Sequence, residues 1–304
     1  MTRSTTLAKF LWLAQLIVWI FVSSPAIAQI SKLFAPEPKG SLVIVGGGDT
    51  PTSVLDRFIG LAGGAEKARV AVFPMASLKS DEEAQEVLVD LQKLGAEAHV
   101  VSIGQDDANS ESTAKYLEQF SGYWFSGGDQ SHLADLLVGT KALETIERRY
   151  REGAVIGGTS AGASVMTTLM LTGRFRKAKN PGEEETLNIA RGMKEVVSGF
   201  GIFKGAIVDQ HFMHRARYNR LLSAVLDHPE LIGVGIDEET ALLVRPDGVW
   251  EVLGNHYVKI FDARKARIIE DDGPMAKAAD MRMHVLPEGS TFNPKRRKVT
   301  FPSD

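Results

Sequence analysis

Short apolar runs that end in glycine and hand over to a helical pattern recur along the first half of this chain, and few folds accommodate them. Ser41-Leu42-Val43-Ile44-Val45 is a near-continuous apolar run that stops at Gly46-Gly47-Gly48. A strand buried on both faces of a parallel sheet reads this way. Arg69 to Pro74, Ala98 to Ile103, Gly122 to Phe125 and Ala154 to Ile156 repeat the design, with helical patterns between them at about residues 52–62, 81–94, 109–119 and 130–152. Alternation at this spacing predicts right-handed βαβ crossovers in a mostly parallel α/β sheet with helices on both faces. Ligands of such sheets bind beyond the carboxyl ends of the strands. Gly46 to Asp49, Gly127-Gly128-Asp129-Gln130 and the segment after Ile156 are therefore expected to meet at one crevice.

That last segment, Val155 to Ser164, contains G-x-S-x-G from Gly158 to Gly162, the spacing of a nucleophile elbow. A serine on a sharp strand-to-helix turn sits in strained backbone, so its neighbours must be small, as Gly158, Ala161 and Gly162 are. Ser160 is the expected nucleophile, and the Ala161 amide at the helix start is an expected oxyanion donor. A plain Gly-Ser loop after a buried strand has the same five-residue pattern. A serine needs a base. Of the seven histidines, His211 follows the buried run Ala206-Ile207-Val208 and faces the crevice most directly, while His132 lies two residues into a helical stretch. His214 with Asp209 makes too sparse a set for a zinc site. Pro51 replaces the third glycine of a dinucleotide fingerprint after Gly46, and no P-loop lysine follows.

The 304-residue chain has a formal net charge of −3 and no cysteine. Disulfides and a thiol nucleophile are thereby excluded, and nothing suggests a nucleic-acid partner. Arg3 and Lys9 precede an apolar run from Phe10 to Val22, and Ala26-Ile27-Ala28 supplies a small-x-small cleavage pattern. Residues 1–28 are expected to be an export signal cut before Gln29, and 29–40 a linker to one domain over 41–304. The run of about 13 residues is shorter than the roughly 20 of a membrane span. No stable membrane partner is expected. An uncleaved anchor is the alternative.

Beyond the elbow, Gly173 to Arg191 reads as a charged loop, and residues 217–228 as a helix with Tyr218, Leu221, Leu222 and Val225 on one face. Runs at 231–236, 241–244, 249–253, 258–261 and 281–286 alternate more and predict antiparallel strands that extend the sheet or cover its edge. Lys295-Arg296-Arg297-Lys298 is expected to be a solvated tail.

Four segments together carry a family resemblance: Gly157 to Ser164, Phe125-Ser126-Gly127-Gly128-Asp129-Gln130, Asp209-Gln210-His211-Phe212, and the trio Arg215, Arg217 and Arg220. Over most of residues 41–245 the chain resembles the serine peptidases of the cyanophycinase and peptidase E family. The resemblance implies a flavodoxin-like fold related to the class I glutamine amidotransferases, with serine in place of cysteine, and a Ser-Glu-His triad without metal or other cofactor. Ser160 matches the nucleophile and His211 the base. The acid is expected between them, at Glu185 in the Glu183-Glu184-Glu185 loop, with Glu195 a further candidate. Gly127 or Gly128 would join Ala161 in the oxyanion hole.

The family's polymer substrate, cyanophycin, has a poly-aspartate backbone with arginine on each side-chain carboxylate, and is cut to β-Asp-Arg dipeptides. By that resemblance Arg215, Arg217 and Arg220 would hold carboxylates, Asp209 a guanidinium, and Gln130 and Gln210 would add neutral hydrogen bonds. On a regular helix the three arginines do not share one face. An isoaspartyl or aspartyl dipeptidase, a non-catalytic binding protein that keeps the fold, and an esterase are the competing readings. A homodimer is compatible with the sequence.

Overall fold

The computed structural model describes residues 37–76, 81–175, 188–192, 194–269, 271, 273 and 275–302. The expected export signal and the Glu183-Glu184-Glu185 loop lie outside them. The chain divides into Met1–Glu37 and Pro38–Asp304, and the fold described is that of the second unit.

The first half alternates as its pattern predicts: β1 (Leu42–Val45), α1 (Thr52–Leu61), β2 (Arg69–Phe73), α2 (Asp81–Lys93), β3 (Glu97–Val100), α3 (Glu111–Leu117), β4 (Gly122–Phe125), α4 (Gln130–Leu137), α5 (Lys141–Glu152), β5 (Val155–Thr159) and the single turn α6 (Ala161–Ser164). The stretch 130–152 expected as one helix is two. Gly139 sits at φ +77° between them, and Thr140 caps the second by accepting from the Leu143 amide at 3.4 Å. The side chain of Asp129 caps α4 through the Ser131 amide at 2.8 Å.

The second half adds β6 (Leu169–Phe175), β7 (Lys194–Ser198), β8 (Ala206–Asp209), α7 (Tyr218–Asp227), β9 (Ile232–Ile236), β10 (Thr240–Val244), β11 (Trp250–Gly254), β12 (Val258–Asp262), β13 (Arg267–Ile269), β14 (Lys277–Ala279), β15 (Arg282–Leu286), β16 (Thr291–Asn293) and β17 (Lys298–Thr300). The central sheet runs β17-β16-β11-β10-β1-β5-β4-β2-β3. Its strands from β1 to β3 are parallel, and β10, β11, β16 and β17 extend it antiparallel.

Burial on both faces explains the continuous apolar runs. Leu42, Ile44, Phe73, Tyr123 and Phe125 pack with residues of α3, α4 and α5. Val43, Val45, Val72 and Trp124 pack with α1 and α2. Successive residues of one strand thus enter opposite cores.

A separate sheet, β15-β12-β9-β8, takes up three of the strands expected to extend the first or cover its edge. Its strand β8 is parallel to β9. One face, with Val208, Val234 and Ile260, joins the main core. The other carries Ile207 and Phe261 against Leu221 and Val225 of α7.

The hairpin β6–β7 was not expected from the sequence, and the last three residues of β6 fall within the segment 173–191 read as a loop. The basic run near the end is likewise not a free tail. Lys295 and Arg296 lie between β16 and β17, and Arg297 turns inward to donate to Asp262 at 2.7 Å. Asp262 is fully buried and also takes both arms of Arg264 at 2.9 Å.

Burial alone would raise the Asp262 pKa, but the hydrogen bonds and charge of Arg264, aided by Arg297, outweigh it and pull the value from 3.8 down to about 2. A depressed carboxyl stabilises the fold above its unfolded pKa and loses that contribution as pH falls through the folded one. Asp262→Asn is expected to cost about 2 kcal/mol or more at pH 7 by urea unfolding. The deficit should shrink as pH falls from about 4 toward 2. A pH-independent deficit would show that the charge is not what matters.

Candidate active site

Ser160 stands where β5 leaves the central sheet, at φ +53° and ψ −110°. That conformation is strained for a residue with a side chain. It is held by packing that only glycine permits. A Cβ on Gly158 would come within 2.7 Å of the Phe125 carbonyl oxygen, and one on Gly162 within 2.1 Å. The Ser160 amide donates to Val45 O at 3.1 Å, tying the turn to β1.

His211 comes from the other sheet, two residues past β8, and also has positive φ, +49°. Its amide donates to Gly46 O at 2.6 Å. The imidazole lies on Gly47, where a Cβ would sit 2.3 Å from the ring. The glycines after β1 therefore let two sheets approach closely enough for their side chains to meet. Ser160 Oγ lies 2.9 Å from His211 Nε2.

The carboxylate on the far side of the ring is Glu238, whose Oε1 lies 2.5 Å from His211 Nδ1. Glu238 sits in the turn Asp237-Glu238-Glu239 that carries the chain from β9 to β10. Its backbone neighbourhood is fixed. Asp237 is held by Lys259 Nζ at 2.7 Å and accepts from the Met213 amide at 3.0 Å, and the Glu239 amide donates to Gly47 O at 2.9 Å. An acidic turn between two apolar strands was the available signal, since both strands were legible. The expectation of an acid between Ser160 and His211 in chain order led away from it. Glu185 lies outside the described residues, and Glu195 is bonded to Thr172 Oγ1 at 2.7 Å on the β6–β7 hairpin.

Electrostatics make the imidazole neutral. Burial lowers the His211 pKa from its ordinary 6.5; the Glu238 bond works the other way, and the charge of Arg215 lowers it again. The hydrogen bond from His211 holds the Glu238 carboxyl below its usual range against the opposing effect of burial. Nδ1–H therefore donates to a carboxylate, and the lone pair of Nε2 faces the hydroxyl.

A cavity of about 740 Å³ opens over Ser160 and His211, lined also by Gly127, Gly128, Thr159 and Arg215. Gly128 has φ +136°, in the loop after β4, beside the turn whose next residue, Ala161, begins α6. The other residues expected to bind substrate are engaged elsewhere. Arg220 forms a two-armed pair with Asp209, Nε to Oδ2 at 2.8 Å and Nη2 to Oδ1, both residues buried. Arg217 reaches Gln210, on its backbone oxygen at 2.7 Å and on its side chain, and lies 3.5 Å from Asp209. Gln130 is buried and donates to Leu171 O at 2.6 Å. Gln130 thereby ties α4 to β6, while Arg217 and Arg220 brace the β8–α7 connection and take up the buried carboxylate of Asp209. Of the arginine trio, Arg215 lines the cavity.

The family model of peptidase family S51 matches residues 42–252. The chain is 33% identical over 269 residues to a cyanophycinase of Geminocystis herdmanii, covering 84% of this chain and 94% of that one. It is 33% identical over 273 residues to a cyanophycinase of Trichormus variabilis, covering 86% and 88%. The crystal structure of a peptidase from an acI-B1 Actinobacterium shares the fold with a TM-score of 0.58 at 24% identity, over 81% of this chain and all of that one.

By NMR titration, His211 is expected to protonate below pH 6.5. Glu238→Gln should lower its pKa further, because the carboxylate is what raises it. A value above 6.5, or no response to Glu238→Gln, would contradict the geometry described.

Proposed function

This chain belongs to peptidase family S51 and is a serine-type peptidase; on that footing we propose that it is an exported exopeptidase that cuts cyanophycin to β-Asp-Arg dipeptides. The observation that carries the reading is the unbroken path from Ser160 Oγ through His211 to Glu238, at 2.9 and 2.5 Å, opening on a cavity. The cyanophycinase names of relatives that align over most of their length support the substrate.

Neutral His211 takes the proton from Ser160 Oγ as the oxygen attacks a backbone carbonyl of the polymer. Glu238 holds the ring in the Nδ1–H tautomer and stabilises the imidazolium that forms. The amides of Ala161 and of Gly127 or Gly128 receive the oxyanion. The C–N bond breaks, the imidazolium gives its proton to the leaving amine, and an ester remains on Ser160. Water, deprotonated by the neutral ring, then releases β-Asp-Arg and restores the hydroxyl. Arg215 supplies a cation for an aspartyl carboxylate.

Incubated with insoluble cyanophycin, the secreted protein is expected to begin at Gln29 and to release β-Asp-Arg, identified by mass. Ser160→Ala should abolish release, and Glu238→Gln should slow it by about 10²–10⁴-fold, whereas Glu185→Gln should not. Undiminished turnover by Ser160→Ala would refute the mechanism. Hydrolysis of soluble aspartyl dipeptides with the polymer untouched would mark a dipeptidase instead.

A further inference from the structure

Glu238 has two carboxylate oxygens, and the contact with the base uses one of them. Oε1 meets His211 Nδ1. Oε2 lies 3.5 Å from Nδ1 of His214, the histidine whose spacing from Asp209 suits no zinc site. Two imidazoles three residues apart on one loop thus address two sides of one carboxylate. The loop that presents them is tightly folded. The Arg215 amide donates to His211 O at 2.9 Å and the Ala216 amide to Met213 O at 3.0 Å, with Ala216 at φ +50°. Between the two rings, the Met213 amide donates to Asp237 Oδ1 at 3.0 Å. Loop and turn are therefore joined at positions 211, 213 and 214.

The two rings differ in surroundings. The side chain of His211 is 10% exposed and that of His214 69%. Burial disfavours a charge on His211, whereas a charge on His214 stands in water. A carboxylate only accepts, so the nitrogen facing each oxygen carries a proton. At 3.5 Å the His214 contact acts through charge more than as a tight hydrogen bond. The hydrogen bond from His211 does most to hold the Glu238 carboxyl below its ordinary range, against burial, and the charge of His214 adds to it. Neighbouring charged groups have other partners: Asp237 has Lys259 at 2.7 Å, Glu239 has Asn255 at 2.9 Å, and Arg217 has Gln210. Arg215 acts on His211 and Glu238 alike.

We propose that His214 is a positioning residue of the reaction centre: from the second oxygen of Glu238 it holds the carboxylate toward His211 and shares its charge. One carboxylate then serves two rings, and a proton on the exposed ring makes a proton on the buried one less favourable. His211 stays a base to lower pH than it would with Glu238 alone. The proposal rests on the functional reading above for the reaction it serves, while the reactivity of Ser160 itself is read by labelling, without the polymer.

The test is the pH dependence of Ser160 labelling by a serine-directed phosphonate, with β-Asp-Arg release from cyanophycin measured beside it. Labelling needs a neutral His211, so its acid limb reports protonation of that ring. His214→Ala is expected to move the limb to higher pH and to lower the plateau rate about twofold to fivefold. His214 is not among the residues lining the cavity, so KM for the polymer should stay within about twofold. His214→Lys, which puts a permanent cation beside Glu238, should move the limb to lower pH and restore the plateau. A side chain that only packs does not produce opposite shifts. Limbs that move the same way in both variants, or that coincide with wild type, overturn the role of His214. If labelling follows the expected pattern while the polymer is left whole, the substrate reading fails and the positioning role stands.

Discussion

Everything catalytic in this chain depends on how closely two sheets approach at the end of β1. Ser160 belongs to the central sheet and His211 to the smaller one, so their 2.9 Å contact is a contact between layers. Gly46 and Gly47 make it possible. The carbonyl of the first receives the His211 amide, and the bare Cα of the second leaves room for the imidazole. A methyl group at Gly47 would displace the ring directly. Three non-glycine residues with positive φ, Ser160, His211 and Glu239, lie at this seam. Strain concentrated in so few turns is tolerated because cores on both sides fix the strands that lead into them.

The same seam sets the charge state of the base. Burial keeps the ring neutral, and one carboxylate fixes which nitrogen carries the proton. Charge elsewhere is arranged so that it does not disturb this. Asp209, buried directly before Gln210 and His211, is neutralised by Arg220; Asp237, directly before Glu238, by Lys259. Each acid lies within two residues of a catalytic group, and each is tied to a cation of its own. Breaking one such buried pair leaves an uncompensated charge, a loss of about 3–5 kcal/mol, so these pairs hold the backbone on which His211 and Glu238 stand.

The sequence was most legible where burial is two-sided. A strand such as Leu42–Val45, covered on both faces, leaves an unbroken apolar run, and the glycines that end it mark the crevice. Ser160 and His211 could be paired because each follows such a run. Glu238 could not, because its strand turns from one sheet into the other, and chain order carries no trace of that change. Asp209 and Arg220 misled for a related reason: a strand-end acid and a helical arginine look alike whether they face a ligand or each other. The basic segment at 295–298 read as solvated because its one inward residue, Arg297, serves an aspartate far away in the chain. Local pattern reports burial of apolar residues well and pairing of charged ones poorly.

The central claim is that Ser160, His211 and Glu238 act as one unit, and coupling between substitutions measures it most directly. With kcat/KM determined for wild type, His211→Ala, Glu238→Gln and the double variant, the double variant is expected to be no slower than His211→Ala alone, since Glu238 acts only through the ring. If the two losses multiply, Glu238 works independently of His211, and the chain of contacts described here is not the reaction centre.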